Sequence, residues 1–173
     1  LYYVDENEVL IGEVDKEAKK TQTKIVVLDP ETSEEIRSFV LPLDVNEIQK
    51  YDDNHYLVAA TIKVNHPDYY LYSNDKKEEL IKEEDDNKDY IVLDEYPFVF
   101  NGAGVINGNR NALFIIDKIT LEIERITPPT LDVESFDYKE NKILMSGVDF
   151  TTYKKKFGSV YEYDVLSKTI HKL

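Results

Sequence analysis

Acidic side chains come first, because the sequence offers few other groups with chemistry to perform. Glu78-Glu79 and Glu83-Glu84 stand in "SNDKKEELIKEEDDNKD". Paired carboxylates can receive a cation such as an α-amino group, and they equally serve as the solvated face of a helix. Just downstream, Asp85, Asn87 and Asp89 have calcium-loop spacing, but Tyr90 stands where the tight turn wants glycine and Tyr96 where the bidentate glutamate belongs, so no calcium site is expected. Gly102, Gly104 and Gly108 in "NGAGVING" invite comparison with a phosphate cradle. No lysine follows and no helix is expected to open there, which leaves a structural loop.

The search for catalytic residues returns none. "MSGVDF" places Ser146 before Gly147 without the upstream glycine of a nucleophile elbow. His55, His66 and His171 are far apart in sequence and two of them fall on expected strands, so no shared metal site is expected, and no cofactor.

The elements that position these groups follow from hydrophobic period. In "FIIDKITLEIERITPP", Phe114 to Pro129, the apolar residues scatter around a helical cylinder but form two β-branched runs about the polar turn Asp117-Lys118-Ile119-Thr120. A hairpin is expected, with its second strand opening at Leu121. The same phrase occurs in "KIVVLDPETSEEIRSF" from Lys24 and "SVYEYDVLSKTIHKL" from Ser159, each with an aspartate (Asp29, Asp117, Asp164) after the apolar run. Upstream of each lies a second phrase: "YVDENEVLIGEV", "KYDDNHYLVAATI" and "DYKENKILMSGV", in which Asn7, Asn54 and Asn141 close a tight turn before an apolar strand. From that asparagine to the hairpin aspartate is 22 residues (29 − 7) in the first copy and 23 (164 − 141) in the third. In the second it is 63 (117 − 54), so about 40 residues are inserted there. Repeats of roughly 40 to 50 residues, with four short strands each, mark β-propeller blades.

The expected fold is therefore all-β: a partial β-propeller of about three four-stranded blades. They span about 1–41, 44–127 and 132–173, with residues 66–110 inserted in the second. The first blade is read as incomplete, with strands near Glu8 to Val14, Lys24 to Leu28 and Glu35 to Leu41. Asn/Asp clusters carry the turns, since these side chains bond their own backbone and tolerate left-handed conformations. Inside the insertion, Asp75 with Glu78 three residues on predicts a surface helix from Asp75 to Glu84. So long an excursion on one blade marks a functional or docking element.

Composition limits the partners. The chain has 173 residues, 42% of them hydrophobic, with 21 basic and 35 acidic side chains and a net charge of -14. Nucleic acid and anionic membranes are disfavoured as partners, since both repel such a field and no basic stripe offsets it. The basic run Lys154-Lys155-Lys156 is read as a solvated loop. There is no cysteine, and so no disulfide framework or thiolate site. Without an apolar run long enough to span a membrane and without a signal peptide, a soluble, cytoplasmic chain is expected. It opens with "LYYVDEN", inside the first repeat phrase, and is expected to be a piece of a longer protein.

Three segments together, "VLPLDVNEIQKYDDNHYLVAAT", "DYIVLDEYPFVFNGAGVINGNRNALFIID" and "FDYKENKILMSG", resemble the N-terminal propeller of prolyl-oligopeptidase-type serine peptidases. Within that family the likeness is to the bacterial acylaminoacyl-peptidase and dipeptidyl-peptidase-like branch. There, a stretch similar to Pro97-Phe98, Asn101-Gly102 and Gly104 leads into a strand of the type Leu113 to Asp117. The resemblance covers nearly the whole chain. It implies an open propeller joined to an α/β-hydrolase domain of the same polypeptide, which carries the Ser, Asp and His triad and lies outside this sequence. It also implies that the propeller covers the active site and restricts substrates to short peptides. In dipeptidyl-peptidase relatives a Glu pair on a propeller helix holds the substrate's amino terminus, a part that Glu78-Glu79 or Glu83-Glu84 would play here.

Two functions follow. As a peptidase propeller the segment gates a separate hydrolase and by itself hydrolyses nothing. As a propeller-type scaffold with no enzyme attached, its acidic surface recruits basic partners. Three blades leave exposed edges, so self-association of the isolated segment is expected.

Overall fold

The computed structural model describes residues 2–4, 8–14, 21–87, 89, 92–97, 99–100 and 104–173. Three antiparallel four-stranded sheets follow one another along the chain. The first contains β1 (Tyr2–Val4), β2 (Val9–Val14), β3 (Thr23–Leu28) and β4 (Glu35–Leu41), in that order. The second orders β5 (Asp44–Lys50), β6 (His55–Lys63), β9 (Asn109–Asp117) and β10 (Ile123–Arg125). The third orders β11 (Leu131–Lys139), β12 (Lys142–Asp149), β13 (Ser159–Asp164) and β14 (Thr169–Lys172). Each sheet is a meander, and the three make a partial β-propeller, as the repeat predicts.

The first blade is not incomplete. β1 pairs with β2 through Tyr2↔Ile11, Tyr3↔Leu10 and Val4↔Val9, and a three-residue strand is too short to show an alternation of its own.

Packing explains why "HYLVAATI" lacks polar alternation. From β6, Tyr56, Val58, Ala60 and Ile62 enter a core shared with Leu10, Ile25 and Val27 of the first blade. Leu57 and Ala59 point the other way, into a core with Val133, Ile143 and Met145 of the third. β9 divides likewise, Phe114 and Ile116 to one side and Leu113 to the other. A sheet buried on both faces reads as a continuous apolar run. The outward face of the third blade is mixed by contrast: Ser135 and Ser146 share a hydrogen bond of 2.8 Å and Lys142 pairs with Glu162 at 2.7 Å, while Leu144 and Val160 beside them are exposed.

The repeated aspartates are the caps of the outer hairpins. Asp29 Oδ1 accepts from the backbone N–H of Glu31 and Thr32, Asp117 Oδ1 from those of Ile119 and Thr120, and Asp164 Oδ1 from that of Ser167. Four residues after each aspartate the chain turns left-handed, at Ser33 (φ 59), Leu121 (φ 58) and Lys168 (φ 53). Leu121 therefore belongs to the turn, and the strand expected to open there starts at Ile123. Nor do asparagines occupy the left-handed positions; turn geometry imposes that conformation on whatever residue stands fifth. The repeated asparagines act through their carbonyls, which accept from Lys118 N–H (Asn54, 2.8 Å) and Val165 N–H (Asn141, 2.9 Å). Asn7 lies outside the described residues.

Candidate functional site

The two ends of the blades differ. At one end the strands are joined by tight turns such as 51–54, 118–122, 140–141 and 165–168. At the other, β2 joins β3 through 15–22, β6 joins β9 through 64–108, and β12 joins β13 through 150–158. Anything the blades present as a site is therefore built at this second end.

The excursion leaves β6 through a bridge between Lys63 and His66 and forms a 3-10 turn, Tyr69–Leu71. Two contacts hold that turn on the second blade: Arg125 Nη2 donates to Asp68 Oδ1 at 3.0 Å, and the Tyr70 ring meets Phe114 edge-on at 5.5 Å. The helix α1 then runs Asn74–Asp86. Its N-cap is Ser73, whose Oγ accepts from Lys76 N–H, so the helix starts one residue earlier than an Asp75 start predicts and ends two residues past Glu84. Lys77 is its buried residue, with its ammonium 5.3 Å from the Tyr69 ring centre.

The four glutamates are distributed by the 3.6-residue period. Adjacent residues on a helix point about 100° apart, so Glu78-Glu79 and Glu83-Glu84 are neighbours in sequence without sharing a face. Glu79 and Glu83, four apart, do share one, together with Lys76, which bonds Glu79 at 2.8 Å. That bond holds the Glu79 carboxyl below its usual range and raises the Lys76 ammonium. Glu84 follows Leu80 and Ile81 around to the side facing the sheet, where it pairs with Lys63.

Beyond the helix, residues 92–97 turn back over the third blade. Asn107 organises this limb: its Oδ1 accepts from the N–H groups of Asp94 and Glu95, and its Nδ2 donates to Val92 O. Tyr96, which precedes Pro97 through a cis peptide, bridges to Tyr153 in parallel, with the two rings stacked at 5.9 Å. Between limb and blades sits Arg110, and all five of its N–H groups are used. Nε donates to Thr130 O, Nη1 to Glu95 Oε2 and Asn109 O, and Nη2 to Glu95 Oε1 and Phe150 O. The guanidinium also lies 3.6 Å from the Phe150 ring centre. An arginine on a strand of otherwise apolar inward residues, "NRNALFII", is the signal for this clasp in the sequence, at the position where the insertion is expected to end.

Other candidates stay apart. His55 and His66 flank opposite ends of β6, and His171 lies on β14. His55 Nδ1 is 3.0 Å from Asp52 Oδ1. Asp85 closes α1 and Asn87 is its C-cap, donating from its backbone and side chain to Glu83 O. Gly104 lies in β8 (Gly104–Val105), paired with β7 (Val99–Phe100), and Gly108, at φ 73, turns the chain into β9 rather than into a helix. Gly102 lies outside the described residues. In the 150–158 loop, Lys154 pairs with Asp132 at 2.7 Å. Among the described residues no helix is long and apolar enough to cross a membrane.

No protein-family model matches this sequence, and no curated protein matches it. Solved structures do share the fold. One is the acylaminoacyl peptidase of Pyrococcus horikoshii, at 14% identity and a TM-score of 0.62, with 96% of this chain aligned to 23% of that one. A second is an acylaminoacyl peptidase in complex with Z-Gly-Gly-Phe-chloromethyl ketone, at 15% identity and a TM-score of 0.58 over the same shares. The chain thus spans about a quarter of the length of these structures. At such identity the likeness is one of fold, and it agrees with the propeller that the repeats predict.

Proposed function

We propose that this chain is a non-catalytic propeller segment of a serine peptidase, gating the access of short peptides to an α/β-hydrolase domain in the same polypeptide. The observation that carries the reading is the crowding of the 64–108 excursion and the 150–158 loop at one end of the blades, tied together by Arg110 and by the Tyr96–Tyr153 bridge. A cover must be rigid over its opening, and a saturated buried arginine between two blades supplies that rigidity. The fold shared with acylaminoacyl peptidases supports the reading of the chain as a peptidase propeller. Residues 1–173 then form part of one propeller domain, and the chemistry, acyl transfer through an activated serine, belongs to the hydrolase. Glu78, Glu79, Glu83 and Glu84 give the cover an acidic margin for the α-ammonium group of an incoming peptide.

The coding sequence flanking this segment supplies the first test. A G-x-S-x-G elbow followed by Asp and then His is expected; a frame that ends after a few more blades assigns the chain to a binding scaffold instead. In the full-length protein, replacing residues 64–108 by a tight turn should leave ester hydrolysis intact and admit longer peptides. An unchanged size limit would overturn the gate. Substituting all four glutamates by glutamine tests the margin, which fails if turnover of peptides with free amino termini is unaltered.

A further inference from the structure

Leu80 and Ile81 are the two apolar residues of α1, and neither is fully buried. Instead of packing on the sheet they roof a cavity of about 210 Å³, which has Leu43 and Ile62 in its floor and Tyr69 and Tyr70 in its wall. A helix whose whole apolar stripe faces an unfilled space is held mainly by its ends, since voids forfeit the dispersion contacts that packing supplies. A space of this size matches one aromatic or branched side chain rather than a drug-sized ligand.

Among the described residues its charges are unbalanced. Lys63 and Glu84 line the cavity and pair with each other. His66 also lines it, with its ring directed edge-on to Tyr72 at 6.2 Å. Asp44 lines it too, and its carboxylate makes no hydrogen bond or ion pair with a described residue. One negative charge beside an apolar floor and two tyrosine rings selects a ligand with an apolar body and a single cationic head, since the rings attract a cation by their faces and the carboxylate accepts its hydrogen bonds.

We propose that the cavity beneath α1 binds a small organic monocation, its ammonium group at Asp44 and its apolar part between the Leu80–Ile81 roof and the Leu43–Ile62 floor. Such a ligand supplies the contacts that the helix lacks and fastens α1 to the second blade. The site belongs to this chain alone, and it stands whether or not a hydrolase is attached.

The test is calorimetric titration of the 173-residue chain with 2-phenylethylamine, and with 2-phenylethanol and phenylacetate as its neutral and anionic counterparts. The amine is expected to bind about tenfold more tightly than the alcohol, one half-buried charge contact being worth roughly that factor, and phenylacetate less tightly than either. Asp44→Asn should reduce the amine to the affinity of the alcohol. Asp86→Asn, which removes an equal charge from the exposed end of α1, should not. Leu80→Asn should weaken amine and alcohol alike, with the blades intact by circular dichroism. The proposal is overturned if the amine binds no better than the alcohol, if its advantage survives Asp44→Asn, or if Asp86→Asn abolishes it equally, which would assign the preference to the acidic field of the whole chain.

Discussion

Arg110 and Glu95 meet as a parallel fork, Nη2 2.6 Å from Oε1 and Nη1 3.1 Å from Oε2, with side chains 0% and 6% exposed. The pair fastens the returning limb of the excursion to the second blade, and its contacts with Thr130 O and Phe150 O reach the third. Removing one partner strands a buried charge, at a cost of about 3–5 kcal/mol. Arg110→Met should therefore lower the urea midpoint sharply. Because three further acceptors of Arg110 are backbone carbonyls, the apolar double variant Arg110→Met/Glu95→Met should stay well below the parent. Full recovery in the double variant would show that the charge pair alone mattered.

Leu121 has a left-handed backbone, at φ 58, and its N–H bonds Asp117 O at 3.0 Å. A residue with a Cβ is strained there by about 1–2 kcal/mol, part of which glycine gives back as extra freedom of the unfolded chain. Leu121→Gly should thus stabilise the protein by about 0.5–1 kcal/mol in chemical denaturation. Destabilisation would mean that the leucine side chain contributes packing.

The hairpin aspartates set an acid limit. Backbone N–H groups, of Thr32 for Asp29, Thr120 for Asp117 and Ser167 for Asp164, hold each carboxyl below its ordinary value. A depressed folded pKa contributes stability that is present above the unfolded value, about 3.9, and lost as pH falls through the lower folded values. Replacing all three by asparagine should cost stability at pH 6, and the gap from the parent should close as pH falls below about 4. A gap that stays constant into stronger acid would show that amide acceptors and carboxylates differ there by geometry and not by charge.

Tyr56 sets an alkaline limit. It is buried between the first and second blades, its hydroxyl donating to Glu8 Oε2 at 3.0 Å and accepting from Arg37 Nη2 at 3.2 Å. Burial pushes the phenol up to about 12. A raised folded pKa gives stability that is complete below the unfolded value, about 10, and lost as pH rises through the folded one. Tyr56→Phe should cost about 1–2 kcal/mol at pH 7, for the lost hydrogen bonds, and progressively less above about pH 10. Thermal melts from pH 7 to 12 read this directly.

Repetition made the blades legible. Asp29, Asp117 and Asp164 recur because each caps the same five-residue turn with its side chain, a local requirement written in one residue type. The doubly buried strands of the second blade are written as plainly, in runs such as Tyr56 to Ile62. The start of α1 was legible to within one residue, although Ser73 and Asp75 both have cap chemistry and tertiary context selects between them. What the sequence did not announce is long-range: Arg110 needs Glu95, Thr130 and Phe150, which come from three different connections. The cavity likewise depends on Asp44, Tyr69 and Leu80 meeting across separate elements. No local period encodes such meetings.

The excursion 64–108 also leaves and re-enters the second blade through one rung of its ladder. Lys63 pairs with Asn109, and Val64 N–H bonds Gly108 O at 2.8 Å. Its two feet are therefore where those of a short hairpin would be, and lengthening or shortening what stands between them costs little closure entropy. Chain closure does not hold the appendage in place; its side-chain contacts do, Glu95 with Arg110 and Tyr70 with Phe114, and a shortened loop would have to replace them. The length of this connection is thus set by its own contacts and not by the spacing of the strands it joins.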